Sequence, residues 1–277
     1  DTLVDSLLER ASFDGVRDLA EVFPSTVFPR AVGLRTPDSR RLIDYGAMVF
    51  NALGPDNALR RIALAGAADL VPWITTQCQR EQLEPDGFGA AIYAAADSGE
   101  ISTDEAAMLV RSLLSAGIDT TVTALGNALW CLATHPQQFR LLQNDPDRAR
   151  SAFEETLRFT SPVHAFCRTA ANDTTIGSIN IAAGSKILCV LGAANLDPAQ
   201  WVQAHQFDIA RGAHGHLAFG VGIHACAGQN VARAEGEAVL RALAHKVQRL
   251  ELDGSVRWQA NNAVHGLASL PLHMTRK

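Results

Sequence analysis

From Leu113 to Trp130 the chain carries one charged residue, Asp119, among apolar and small side chains. Apolar residues recur there at helical spacing, and the pattern predicts one long helix from Thr103 to Thr134. Ser102 and Glu105 fit an S-x-x-E capping box at its start, and His135-Pro136 ends it. At ~1.5 Å per residue such a helix is on the order of 45 Å long, enough to cross a whole domain. A helix apolar on most of its circumference must be surrounded, so many other elements have to pack around it. Its buried centre nevertheless holds Gly117, Asp119, Thr120 and Thr121.

The surrounding elements are mostly helices. Apolar spacing predicts helices over Thr2–Ala11, Gly15–Val22, Ser39–Leu53, Leu59–Arg80, Phe88–Asp97, Asp147–Phe159 and Gly228–His245, with Pro24 and Pro29 bracketing a connection. Val163–Ala170, Thr174–Ile181, Lys186–Val190, Val247–Leu252 and Leu267–Met274 read as short strands, punctuated by Asn172-Asp173, Gly177 and Gly184. The fold class is mainly α with a small β region. With 277 residues, 47% of them apolar, the chain buries a substantial core. Its 24 Lys and Arg against 29 Asp and Glu offer no clustered positive surface for nucleic acid. No apolar run is long enough to span a bilayer. Five scattered cysteines without a CxxC pair argue against a disulfide framework and for a reducing compartment, the cytoplasm.

The loop His216-Leu-Ala-Phe-Gly-Val-Gly-Ile-His-Ala-Cys226-Ala-Gly-Gln concentrates the chemistry. Gly220 and Gly222 admit backbone conformations closed to other residues, and Gly228 opens the next helix. A cysteine just before a helix meets amides and a dipole that favour negative sulfur, and a thiolate is a good soft metal ligand. Taken alone, a lone cysteine is most often a small buried hydrophobe. Two rival chemistries share the loop. Gly220-Val-Gly-Ile-His-Ala225 fits G-x-G-x-x-A, with Glu251 downstream, as in a dinucleotide site. His214, His216, His224 and Cys226 are zinc-ligand types, although their spacing matches no standard zinc pattern.

The order of signals along the chain decides between them. Ala116-Gly-Ile-Asp-Thr-Thr121 is followed by Glu155-Thr-Leu-Arg158, an E-x-x-R on one helix face. Arg168 comes next, then Phe207-Asp-Ile-Ala-Arg211, and F-G-x-G-x-H-x-C-x-G closes the series at Cys226. This order resembles the cytochrome P-450 (haem-thiolate monooxygenase) family. From about Gly15 onward the chain is similar to bacterial members that oxidise para-substituted benzoates, through Leu19-Ala-Glu-Val-Phe-Pro24, Leu109-Val-Arg-Ser-Leu-Leu-Ser-Ala-Gly117 and Asn261-Asn262.

The resemblance implies haem b with Cys226 as the axial thiolate, which donates electron density to iron and favours O–O cleavage. It places Ala116, Phe219 and Gly220 beside the haem, and Arg168, His216 and His224 at its propionates. It makes Glu155, Arg158 and Arg211 a buried structural network, where charge is tolerable only when paired. It puts Asp119 and Thr120 on the distal side, where the Thr hydroxyl opens a kink near Gly117 and the pair relays protons. For substrate it implies Ser112 and Ser115 as carboxylate donors, with Arg111 either a third donor or a solvent-facing charge. Phe50, Leu53, Val163 and Phe166 become the ring-clamping walls, Leu53 standing where such members often have an aromatic. Electrons would come from NAD(P)H through ferredoxin and ferredoxin reductase, with O2 and a small aromatic acid as substrates.

Family members carry roughly another third of a chain before this start. The resemblance therefore implies a single cytochrome P-450 domain over residues 1–277 without its N-terminal part. That part supplies the loop closing over substrate and some of the carboxylate clamp. The alternatives are a non-catalytic remnant of the same fold, or a zinc or dinucleotide protein using the 214–228 loop.

Overall fold

In the computed structural model, which describes residues 1–277, α1 (Thr2–Arg10) turns at Ala11 into β1 (Ser12–Asp14). Asp14 then accepts from the Val16 and Arg17 amides and caps a π-helical turn, Gly15–Ala20. α2 follows over Val22–Val32 and runs straight through Pro29. The expectation that Pro24 and Pro29 bracket a connection is corrected. Pro24 lies in the first turn, where a missing N–H costs nothing. Pro29 leaves the Ser25 carbonyl without its helical donor, and the Ser39 hydroxyl donates to that oxygen instead, at 3.1 Å.

α3 (Ser39–Ala52), capped by Asp38, and α4 (Ala58–Gln77), capped by Asn57, pack on each other as a helical hairpin. α5 (Phe88–Asp97) leads to α6 (Thr103–Ala116), which starts at the capping box of Ser102 and Glu105. The predicted single helix stops at Gly117–Ile118 and resumes as α7 (Asp119–Thr134). Phe28 of α2 fills the space at this break, and a Cβ on Gly117 would overlap its ring. α8 (Pro136–Asn144) and α9 (Ala149–Thr160) complete the first helical run.

The β region begins with β2 (Ala165–Thr169) and a hairpin of β3 (Thr174–Ile176) and β4 (Ile179–Ile181). Thr174–Ile181 is two strands, reversed at Gly177 with φ +60, one of the punctuating residues of the sequence reading. β5 (Lys186–Val190) pairs antiparallel with β2 and leads into the short α10 (Leu191–Asn195). After a long loop come α11 (Gln229–Lys246), β6 (Val247–Leu252), β7 (Arg257–Trp258), β8 (Leu267–Ser269) and β9 (Pro271–Arg276). β9 lies between β1 and β6, and β7 pairs with β8, all antiparallel. The predicted strand Leu267–Met274 is interrupted at Leu270. Its N–H donates to Asp14 Oδ1 at 3.2 Å, and its carbonyl accepts from Gly15 at 2.7 Å.

Forty-six buried apolar residues form one cluster around α7, whose residues Thr121 to Leu129 are all buried. The π-helical turn, α9, α11 and β6 all pack against it. No helix is long and apolar enough to cross a membrane.

Candidate active site

The glycine-rich loop reaches Cys226 just ahead of α11. Gly220 (φ +67) and Gly222 (φ +75) take left-handed conformations that a side chain would strain. The Cys226 amide donates to the Phe219 carbonyl at 2.8 Å, closing the loop on itself. Gly228 stands at the start of α11, where a Cβ would lie 3.9 Å from Cys226 Sγ, so the helix end comes close to the sulfur. The sulfur is half-buried, in no disulfide, and flanked in the loop by exposed Val221 and Ile223. His224 is exposed, and Arg168 on β2 is exposed with only the neighbouring Cys167 carbonyl, at 3.1 Å, as acceptor. A free soft donor, exposed apolar side chains and an uncommitted cation are the groups that a haem would need: Cys226 for the iron, and Arg168 and His224 for its acid groups.

The rival chemistries lack their scaffolds. No three His, Cys, Asp or Glu side chains group closely enough to hold a metal between them. The segment before Gly220 is not a strand, and β6 after α11 pairs antiparallel with β9, so no βαβ unit exists.

His216 is a correction to the sequence reading. It is buried, its Nε2 lies 2.8 Å from Glu154 Oε2, and its Nδ1 accepts from the Ala218 amide at 3.1 Å. Both ring nitrogens are engaged inside the protein, leaving none for a propionate. Arg233 of α11 completes this cluster, pairing with Glu154 and lying 4.4 Å above the Phe219 ring. Burial opposes the charge on Glu154, but His216 and Arg233 outweigh it and hold the carboxyl down at about 2.

At the break between α6 and α7, the Thr120 hydroxyl donates to the Ala116 carbonyl at 2.6 Å and Thr121 to Gly117 at 3.2 Å. Hydroxyls that back-bond to helix carbonyls loosen the turn they occupy. Ser112, Ala116 and Thr120 follow at four-residue spacing along one side, and none of them is buried. Asp119 packs against α3, where Gly46 leaves room for it: a Cβ there would lie 2.9 Å from Asp119 Cβ. Burial, with the Glu21 carboxylate adding repulsion, lifts the Asp119 pKa to about 6.

Glu155, Arg158 and Arg211 converge as a buried network. Arg158 Nε and Nη2 grip the Glu155 carboxylate at 2.7 and 2.8 Å, and Arg211 Nε reaches Oε1 at 3.1 Å. Arg158 also donates to the carbonyls of Asn195, Ala204 and Gln206, and Arg211 to those of Val202, Gln203 and Gln206. The two guanidiniums thereby fold residues 195–211 onto α9, and this is the chain that leads to the cysteine loop.

Among the predicted walls, Phe50 and Val163 are buried, Phe166 is half-buried and Leu53 is 61% exposed. The Ser112 and Ser115 hydroxyls donate to their own helix, at 2.9 Å to Met108 and 3.0 Å to Ser112, so each must rotate to meet a ligand. Arg111 is half-buried and makes no ion pair. It acts instead on the buried Tyr45 and Cys78, offsetting part of the rise that burial gives their pKa values.

Glu154, Arg233 and Glu235 were not singled out in the sequence. Glu235 of α11 is 4% exposed, and neither of its carboxylate oxygens has a hydrogen-bond partner. Burial raises its pKa to about 8 against the pull of the Thr121 hydroxyl. No local pattern marks these residues, because helix–helix packing is what buries them.

Residues 76–253 match the cytochrome P-450 family. Over 276 residues the chain is 48% identical to cytochrome p450 CYP199A2 of Rhodopseudomonas palustris, covering 99% of this chain and 67% of that protein. It is 32% identical over 278 residues to 6-deoxyerythronolide B hydroxylase of Saccharopolyspora erythraea, covering 97% and 68%. Among solved structures, cytochrome P-450 CREJ in complex with (4-ethylphenyl) dihydrogen phosphate aligns over 99% of this chain and 70% of that one, with a TM-score of 0.91 and 28% identity. The chain spans about two thirds of the length of these relatives.

Proposed function

Because this chain belongs to the cytochrome P-450 family, we propose that it is a haem-thiolate monooxygenase hydroxylating or O-demethylating a small aromatic acid such as a para-substituted benzoate. The observation that carries the reading is Cys226: a free, half-buried thiol on a glycine-shaped loop against the start of α11. When bound, haem supplies O2 activation with electrons from NAD(P)H, delivered through a ferredoxin and its reductase. The protein supplies the rest. Cys226 would hold the iron, and Arg168 and His224 would take the acid groups. His216 leaves that set and serves as a support, fixing the loop through Glu154.

Asp119 and Thr120 handle protons. Thr120 holds the turn open at Ala116, and Asp119, with its pKa raised to about 6, changes protonation near neutral pH. The aromatic-acid part rests on the Arg111, Ser112 and Ser115 set and on the walls at Phe50, Val163 and Phe166. A structural neighbour that binds a para-substituted phenyl ring bearing an anionic group supports it. The five unpaired cysteines fit a reducing compartment such as the cytoplasm.

The test is the spectrum of the reduced, carbon-monoxide-treated full-length protein. A thiolate-bound haem gives a distinctive red-shifted band, expected in wild type and lost in Cys226→Ala. Loss of that band in Cys189→Ala, with its retention in Cys226→Ala, would reverse the assignment.

A further inference from the structure

We propose that Asn262 is a positioning residue of the substrate pocket, a clasp that ties the turn after Phe50 and Leu53 to the segment pairing with Val163, and that opens to let ligand pass. The proposal rests on the aromatic-acid reading only for what the pocket admits. The clasp itself rests on geometry.

Asn262 makes four hydrogen bonds to residues more than two hundred positions away in the chain. Its N–H donates to Asn51 Oδ1 at 3.1 Å, and its Nδ2 donates to the Asn51 carbonyl at 2.8 Å and to Asn57 Oδ1 at 3.2 Å. Its Oδ1 accepts from Asn57 Nδ2 at 2.7 Å. Both partners are fixed at helix ends. Asn51 Nδ2 donates to Ala47 at 2.9 Å in the last turn of α3, and Asn57 Oδ1 caps α4 at the Arg60 amide, also at 2.9 Å. One side chain therefore grips both ends of the turn that joins α3 to α4. Between them, Gly54 lies flat against the amide, and a Cβ there would overlap the Asn262 side chain.

The other side of the clasp is anchored as firmly. Asn261 Oδ1 accepts from the Ala263 and Val264 amides at 3.0 Å each, shaping the turn that presents residue 262. Val264 pairs with Val163, and the His265 amide donates to the Pro162 carbonyl at 2.8 Å. The strap thus runs from the α3–α4 turn to a predicted pocket wall without interruption. Every group in it is a neutral amide, and Asn51, Asn57 and Asn262 are all partly exposed. Such hydrogen bonds exchange for water at small net loss, so the strap can open and reclose. The network at Glu155 differs, because opening it strands buried charge.

The experiment uses the full-length protein and compares wild type, Asn262→Ala and Gly54→Ala. Hydrogen exchange is read at residues 51–58, and stopped-flow rates are read for imidazole, a small haem ligand independent of the aromatic-acid reading, and for 4-methoxybenzoate. Losing the side-chain bonds of the clasp is expected to speed exchange there on the order of tenfold. Both ligands should enter and leave faster, with the thiolate spectrum unchanged. Gly54→Ala displaces the same side chain and should match. Asn262→Asp keeps the acceptor for Asn57 but loses both Nδ2 donations, and should fall between. Unchanged exchange at 51–58 in both Asn262→Ala and Gly54→Ala overturns the clasp. Faster exchange with unchanged imidazole rates overturns its role at the pocket. Failure of 4-methoxybenzoate to bind wild type overturns the aromatic-acid reading alone, and the imidazole rates still decide the clasp.

Discussion

Glu235 lies against α7 on the α11 side, with Thr121 as its polar neighbour and no hydrogen bond to either oxygen. With its pKa raised from 4.5 to about 8, the folded protein keeps a proton there that the unfolded chain has already released. The unfolded state then binds fewer protons, so the stability contribution is full below pH 4.5 and is lost as pH climbs toward about 8. By neutral pH this amounts to about 3 kcal/mol. Glu235→Gln keeps the volume and removes the titration. Denaturation from about pH 5 to about pH 8.5 should show the wild type weakening relative to the variant, and parallel stability curves would show that this carboxyl does not titrate in the window. Asp119 and Thr120 differ, because their expected effect is on turnover. Asp119→Asn or Thr120→Ala should slow productive turnover by ~10²–10⁴-fold, the usual worth of acid–base assistance, and divert reducing equivalents to peroxide. An unchanged product yield per NAD(P)H in both variants would remove the pair from proton handling.

At the scale of elements, the break between α6 and α7 is packed tightly against a neighbour. Phe28 of α2 occupies the place where a side chain on residue 117 would stand. Gly117→Ala should therefore cost about 1–3 kcal/mol through overpacking, and Phe28→Leu in the same chain should recover part of it. Chemical denaturation of the single and double variants measures both, and a neutral Gly117→Ala would mean that α2 yields freely. Apolar periodicity continues through residues 117–118 and by itself reads as one helix; the kink near Gly117 was legible through the Thr120 hydroxyl and the family resemblance, whereas nothing local reports Phe28. Likewise β1 has three residues, too few for alternation to show, and it exists because β9 pairs with it. The Glu155–Arg158 pair was legible because i,i+3 residues meet on a helix. The arrival of Arg211 came through family resemblance, and the carbonyls it and Arg158 bind were not legible at all. His216 shows the limit of a motif: the sequence placed it in the right loop, while its direction was set by Glu154 of α9.

For the whole molecule, the 24 cationic side chains are outnumbered by 29 acidic ones, so the chain as a body does not attract an anion. At physiological salt, exposed charges are screened beyond about 8 Å, which leaves recognition of a carboxylate to groups at the site. On the proposed reading, those on α6 are Arg111, without an ion pair, and the Ser112 and Ser115 hydroxyls, which donate to their own helix in this structure. Turning a hydroxyl from a helix carbonyl to a carboxylate exchanges a neutral bond for a charge-assisted one. Bonds to charged groups are worth roughly 1.5–3 kcal/mol, against about 1 kcal/mol for neutral ones. On the same reading, apolar walls at Phe50, Val163 and Phe166 would hold an aromatic acid and its methyl ester almost equally. The full-length protein should therefore bind 4-methoxybenzoate more tightly than its methyl ester, by roughly two- to thirtyfold for each such exchange. Ser112→Ala should narrow the gap, because it removes the donor exposed on the same side as Ala116 and Thr120. Titrating the acid–ester pair at fixed ionic strength decides it. Equal affinities, or a preference that survives Ser112→Ala/Ser115→Ala together with Arg111→Ala, would leave an aromatic pocket whose selectivity for acids arises away from α6.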